Sequence, residues 1–338
     1  MKYFRIIAPD LAIDLGTANT IVARMDKGIV IEEPTVVALD FKKMEILAVG
    51  AEAKKLIGKS PENVAAVRPL KDGVISDFDL TQAMLEYNIH KALPGISVLA
   101  PRLTICVPSG STDVENRAIQ DACLQSGARD VYLVEETLAS AYGAGLIENS
   151  TNGVMILNIG AGTTEVAVVS SYGIITSEST KRGGDDLDER LIEYIRNQFR
   201  IIIGDNTVEN LKKTIASLHE EDQTNAMEVS GRDSITGMPK SVDIYSSDIS
   251  PCIIEEADEI VDQVRISLEK TPPELASDIM KKGLFVTGGG AQIRGLADYI
   301  EGHIGIRVNL SKNPTRDTIN GVQTIMKNIN QLRNRKGD

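Results

Sequence analysis

Apolar residues along this chain come in short runs parted by turn residues, and their spacing alternates between two periods. Leu11-Ala12-Ile13 and Thr20-Ile21-Val22 flank a turn holding Gly16, Thr17, Ala18 and Asn19. Val154-Met155-Ile156-Leu157 and Val166-Ala167-Val168-Val169 flank a second, holding Gly160, Ala161, Gly162 and Thr163. Each set reads as strand, glycine turn, strand, which is a β-hairpin. Ile29-Val30-Ile31 leading to Pro34, Leu103-Thr104-Ile105-Cys106-Val107 ending at Pro108, and the stretches 131–134 and 283–287 read as further strands. Elsewhere apolar positions fall three and four apart. Leu80, Met84, Leu85 and Ile89 predict a helix over 79–91, broken by Pro94-Gly95. Thr112-Asp113 caps a helix that runs through 125 and stops at Gly127. More helices are predicted over 136–146, 185–200, 207–219 and 248–270, the last ending ahead of Pro272-Pro273. A strand pair is expected over 227–246, turning at Thr236-Gly237. Ile319, Val322, Ile325, Met326, Ile329 and Leu332 close the chain at helical spacing. Strands and helices that alternate in this way place the chain in the α/β class.

Bulk properties narrow the function. A chain of 338 residues exceeds one compact core and suits two domains. Hydrophobic residues at 42% and charged residues at 25% are ordinary for a soluble globular protein. A net charge of -12 repels nucleic-acid phosphates, so no nucleic-acid partner is expected. Cys106, Cys123 and Cys252 are scattered without metal or redox spacing, which fits a reducing cytoplasm. His90, His219 and His303 stand alone, which argues against a zinc site or a histidine triad. No run of 18 apolar residues occurs, and the opening residues lack the apolar core of a secretory signal.

The candidate chemistry lies in the two hairpin turns. Asp14-Leu15-Gly16-Thr17-Ala18-Asn19-Thr20 and Asn158-Ile159-Gly160-Ala161-Gly162-Thr163-Thr164 look like copies of one device. Each tip offers backbone N–H groups and hydroxyls to an anion. Two tips facing each other would clamp a polyphosphate. The plainer alternative is an ordinary glycine hairpin with Asp14 in an Asx turn. Gly288-Gly289-Gly290 follows a strand and would let a flat base and ribose approach the backbone, or would simply form a flexible turn.

Blocks spread over nearly the whole chain, and in family order, resemble the MreB-type bacterial actins. They are Ala12 to Thr20, Val67-Arg68-Pro69-Leu70-Lys71-Asp72-Gly73-Val74-Ile75, Cys106-Val107-Pro108-Ser109-Gly110 and Tyr132-Leu133-Val134-Glu135-Glu136. Gly160 to Val168, Gly231-Arg232-Asp233, Thr271-Pro272-Pro273-Glu274-Leu275-Ala276 and Val286-Thr287-Gly288-Gly289-Gly290-Ala291 continue the series. The resemblance implies an actin-like fold of the actin/Hsp70/sugar-kinase superfamily: two duplicated domains around a nucleotide cleft, each with a small subdomain. Domain I would comprise 1–30, 74–145 and 311–338 with its small subdomain at 31–73. Domain II would comprise 146–181 and 250–310 with its small subdomain at 182–249. It implies ATP and Mg²⁺ as cofactors, self-assembly into protofilaments paired antiparallel, and paralogous filament proteins as further partners. It also implies a cytoplasmic location at the inner membrane face, and a role in cell shape, or in motility in wall-less cells. Rival readings on the same fold are a small-molecule kinase and an Hsp70-like ATPase. The first needs a carboxylate base beside a substrate pocket, and the second a substrate domain that this chain lacks.

Carried over residue by residue, the resemblance gives Gly16, Thr17, Ala18, Asn19, Gly160, Ala161, Gly162, Thr163 and Thr164 to the phosphates, and Asp14 to magnesium through water. Glu136 would orient the attacking water, with Thr163 near the γ-phosphate; as a plainer alternative, Glu136 simply suits a helix N-terminus. Gly183, Gly184, Asp185 and Gly288 to Gly290 would line the cleft. Glu209 and Lys212, three apart on one helix face, would meet sugar and base, or form only an exposed ion pair. The family has an acid where this chain has Thr214, Asp where it has Asn158, and Gly where it has Ala161. Losing the carboxylate at 158 predicts that hydrolysis suffers more than binding. Ile96, Val98 and Leu99 are expected to form an apolar loop that meets lipid, or Val98 and Leu99 only lead into the strand at Leu103. The final helix, ending in Arg333, Arg335 and Lys336, offers a basic end to the same surface; its apolar stripe reads equally as core. Val114 falls where the family carries an apolar contact between paired protofilaments.

Overall fold

The computed structural model describes residues 4–93, 95–147 and 152–335. Two five-stranded sheets share one strand order. The first runs Asp130–Glu135, Arg102–Val107, Leu11–Leu15, Asn19–Arg24, Gly28–Pro34. The second runs Val308–Leu310, Leu284–Thr287, Val154–Ile159, Thr164–Ser170, Gly173–Thr180. In each, three parallel strands are followed by two that fold back antiparallel. Each sheet is thus built outward from one of the glycine hairpins, and the two are copies in topology.

The central strands are apolar end to end because both faces are covered. Leu11, Ala12 and Ile13 are fully buried, as is every residue of Val154–Ile159 and Thr164–Ser170. Helices Phe78–Ala92 and Asp113–Gln125 cover one face of the first sheet through Met84, Leu85, Ile89, Ile119 and Cys123. Helices Ser246–Glu269, Pro273–Lys282 and Leu296–Ile304 cover one face of the second through Val261, Val264, Ile279 and Ile300. Between the sheets lies the short helix Glu136–Gly143, whose Ala139 packs on the first and Ala141 on the second.

The closing helix Asp317–Arg335 crosses that short helix at backbone contact. A Cβ on Gly143 would lie 1.7 Å from the Asp317 carbonyl oxygen, and one on Gly321 would lie 1.6 Å from that of Ala139. Ile319, Val322 and Met326 are buried with Ala12, Ile21 and Ala23. This part of the apolar stripe is therefore core and not a lipid face.

Two small three-stranded sheets complete the fold. One is Glu45–Val49, Val37–Asp40, Val64–Val67; the other is Ile201–Ile202, Ala226–Asp233, Pro239–Tyr245. The second packs under Gly184–Phe199 and Asp205–Ile215 around Leu187, Leu191, Leu211 and Val229. The segment expected to be an apolar loop is a strand instead. Ile96–Leu99 pairs in parallel with Phe4–Ile7. Its partner sits some ninety positions away in the chain, so no local signal separated it from a loop.

Candidate functional site

Both glycine turns end at one cleft of about 750 Å³. They close in the same way. The Gly16 N–H donates to the Asn19 carbonyl at 3.1 Å, and the Gly160 N–H donates to the Thr163 carbonyl at 2.8 Å. Thr35 braces the first tip, its hydroxyl donating to the Gly16 carbonyl at 2.7 Å and its N–H to the Ala18 carbonyl at 2.9 Å. The second tip is braced by the helix Gly184–Phe199, whose first N–H groups, of Gly184 and Asp185, donate to the carbonyls of Gly160 and Ala161 at 3.1 and 2.8 Å. The tips nearly touch. The Gly73 N–H donates to the Thr17 hydroxyl at 3.1 Å, and a Cβ on Gly162 would come within 2.7 Å of that same oxygen.

From the first hairpin Asp14, Gly16, Thr17, Ala18 and Asn19 line the cleft, and from the second Asn158, Gly160, Ala161, Gly162 and Thr163 do. Glu136, Gly184, Asp185, Glu209 and Lys212 line it too, as does Thr214. Two expected residues do not. Thr164 is turned into the sheet with its hydroxyl unpartnered, and Gly183 lies behind the tip, where a Cβ would sit 2.6 Å from the Ala161 carbonyl oxygen. Gly183 is therefore required by packing rather than by a ligand. All three glycines of the run 288–290 line the cleft, but their surroundings differ. A Cβ on Gly288 or Gly290 would strike Ile159. Of the three, Gly289 alone has open space where a Cβ would stand.

The cleft floor is acidic. Burial lifts the Asp14 carboxyl to about 7. Burial, helped by the charges of Glu165 and Asp14, holds Glu136 well above the usual carboxylate range, against one hydrogen bond from Asn158. That bond runs from the Asn158 Nδ2 to the Glu136 Oε2 at 3.2 Å. Glu165, paired in register with Asn158 across the hairpin, is fully buried and lifted to about 7 by that burial, although it accepts the Ser109 N–H at 3.2 Å. Glu165 does not line the cleft but lies buried beside the floor residues, and sequence reasoning did not single it out; the register opposite Asn158 was the signal that would have found it. Arg68 was missed as well. It lines the cleft and donates to Asp185 at 2.7 Å.

Among the described residues no group of three or more His, Cys, Asp or Glu side chains is set to hold a metal ion by itself. Such a donor set would suit a cation that keeps its waters and takes most other ligands from phosphate, and Asp14 is the carboxylate of the cleft that would face it. Of the expected lipid and pairing residues, Val98 is 64% exposed, Leu99 43% and Val114 78%. The side chains of Ile96, Arg333 and Arg335, and Lys336 altogether, lie outside the described residues.

The family model for MreB/Mbl protein matches residues 8–334. Cell shape-determining protein Mbl of Bacillus subtilis (strain 168) is 39% identical over 331 residues, which cover 98% of this chain and 99% of Mbl. Cell shape-determining protein MreB of Escherichia coli (strain K12) is 42% identical over 320 residues, covering 93% and 92%. The crystal structure of MreB5 of Spiroplasma citri bound to AMPPNP matches at a TM-score of 0.91 and 33% identity, over 97% of this chain and 99% of that one. Duplicated sheets, paired glycine tips and these matches along the whole length lead to one conclusion: the chain belongs to the MreB/Mbl family and has its actin-like fold.

Proposed function

We propose that this protein binds ATP with Mg²⁺ in the cleft, assembles into cytoskeletal filaments at the inner face of the cytoplasmic membrane, and hydrolyses ATP slowly. The observation that carries the nucleotide reading is the pair of hairpin tips, closed by equivalent glycine bonds and bordering one cavity. Structural likeness to a relative solved with AMPPNP supports it. The N–H groups of both tips would hold the phosphates, and Gly289 would admit the adenosine. Lys212 and Glu209 would meet the sugar side.

Magnesium, when bound, would neutralise phosphate charge. Asp14 is the residue that would hold it, through water. Glu136 would orient the attacking water, and Thr163 would sit near the terminal phosphate. Asn158 occupies 4% exposed space on the same floor but brings no charge. A transition state that gathers charge loses more by this than a ground state held by two sets of amides. Binding should therefore survive better than hydrolysis.

Filament assembly rests on family membership, and the cell-shape role on the names of the relatives. Domain I with 31–73 as its small subdomain, and domain II with 182–249, belong to the same reading; each small segment holds one of the three-stranded sheets. Electron microscopy with ATP, read beside binding of a fluorescent ATP analogue, tests the proposal. Gly289→Trp fills the one open glycine of the floor and should abolish binding and filaments together. Binding at wild-type strength in that variant would refute the adenosine assignment, and single particles in the wild type would refute the filament.

A further inference from the structure

Two ion pairs at the cleft join segments far apart in sequence. Lys54, at the end of the short helix Ala51–Lys54, places its Nζ 2.7 Å from the Glu209 Oε2 across 155 positions of chain. Arg68 places its Nη1 2.7 Å from the Asp185 Oδ2 across 117 positions. The four side chains are between 24% and 33% exposed, so water screens them only in part. Arg68, Asp185 and Glu209 all line the cavity. Other charges face them: Lys213 bonds the second oxygen of Glu209, and Lys212 bonds Asp188 at 2.8 Å. Glu209 thus has both oxygens occupied by the chain's own lysines.

We infer that Lys54 and Arg68 are positioning residues of the nucleotide site, which hold Glu209 and Asp185 at the cleft and set the rate at which nucleotide enters and leaves. The inference rests on the nucleotide reading above and extends it to the regulation of that site. On this inference, passage of a nucleotide past the sugar-side residues needs the segment holding Lys54 and Arg68 to swing away from the one holding Glu209 and Asp185. Swinging breaks both pairs. Burial alone would raise the Glu209 carboxyl, but the bonds from Lys213 and Lys54 outweigh it and hold it at about 2, so the acid stays charged at every working pH. On the Arg68 side burial opposes the charge, and the Asp185 carboxylate more than restores it.

Because the pairs join the protein to itself, losing one should raise association and dissociation rates together. For pairs between a quarter and a third exposed the expected gain is about two- to fivefold each. Stopped-flow exchange of a fluorescent ATP analogue tests this on the full chain. Lys54→Ala and Arg68→Ala should each speed both rates, the double variant more so, with the dissociation constant nearly constant. Lys54→Arg should restore slow exchange. Added salt should speed exchange in the wild type and do little in the double variant. Wild-type rates in the double variant would overturn the inference. So would a weakened dissociation constant at unchanged association rate, which would make these residues direct ligand contacts. A wild type that binds no analogue would refute the nucleotide reading itself and this inference with it.

Discussion

At position 158 an amide stands where the resemblance implies a carboxylate, and the change would act through its neighbour as well as through charge. The Asn158 Nδ2 donates to Glu136, so the residue expected to orient water is itself held by an amide. An aspartate there would face Glu136 as a second carboxylate, and the two would share a proton unless a cation intervened. Asn158→Asp should therefore raise phosphate release in the presence of Mg²⁺, by as much as about 10²–10³, the effect of one comparable electrostatic contact in a transition state. Ala161 need not be reverted along with it, since its turn closes with the same bond as the first hairpin. Phosphate release no faster in Asn158→Asp, alone or with Ala161→Gly, would clear Asn158 of limiting the rate. Glu165 supports a second test. Burial lifts it from its ordinary value to about 7, so the folded protein binds more protons than the unfolded chain across that interval. The stabilisation is fully present below the unfolded value, about 4.3, and is lost as pH rises through about 7. Glu165→Gln should flatten the fall in melting temperature over that window. An unchanged slope would show that Glu165 holds no proton there.

At the scale of elements, the junction of Glu136–Gly143 with Asp317–Arg335 depends on two glycines. Any side chain at Gly321 meets a carbonyl oxygen, and the helices must part to accept it. Overpacking of this kind costs about 1–3 kcal/mol and occasionally more. Gly321→Val should lower the melting temperature. Gly302→Ala, at an open helical position, should raise it slightly, because Gly is disfavoured in helices by about 0.8–1.0 kcal/mol. Equal effects from the two would reject the packing account. Elements that follow local rules were legible in the sequence. Thr112 does cap its helix, in a box with Glu115, and the hairpins fall where glycine and β-branched residues place them. What depended on distant partners was hidden. Ile96–Leu99 is a strand only because Phe4–Ile7 lies beside it. Gly183, Gly288 and Gly290 were legible as cleft glycines, yet their reason is contact with the chain's own backbone and Ile159. Lys54 lies in no motif, and Arg68 lies in a family block but was given no role there; their partners lie more than a hundred residues away.

For the whole molecule the question is which surfaces would meet lipid on the proposed reading and which would meet another copy. Val98 and Leu99 are apolar and open to solvent. Changing both to Ser should weaken sedimentation with liposomes equally at low and high salt, since insertion of apolar groups is not screened as charge is. Full retention on liposomes would exclude this strand as the lipid contact. Val114 lies at the start of Asp113–Gln125, 78% exposed, between the acidic residues Asp113 and Glu115. A valine so exposed gains nothing in the monomer, but a partner related by a two-fold axis would bury it against its own copy. Acidic neighbours turn the same geometry into a sensitive test. Val114→Glu would bring like charges together in a desolvated contact, where an unpaired charge is strongly unfavourable. The helix itself should be undisturbed, because a carboxylate suits its N-terminal turn. Protofilaments should still form, since the nucleotide cleft is untouched, but electron micrographs should show them single. Paired filaments in Val114→Glu would exclude this helix as the pairing surface, and loss of all filaments would move Val114 to the longitudinal contact instead.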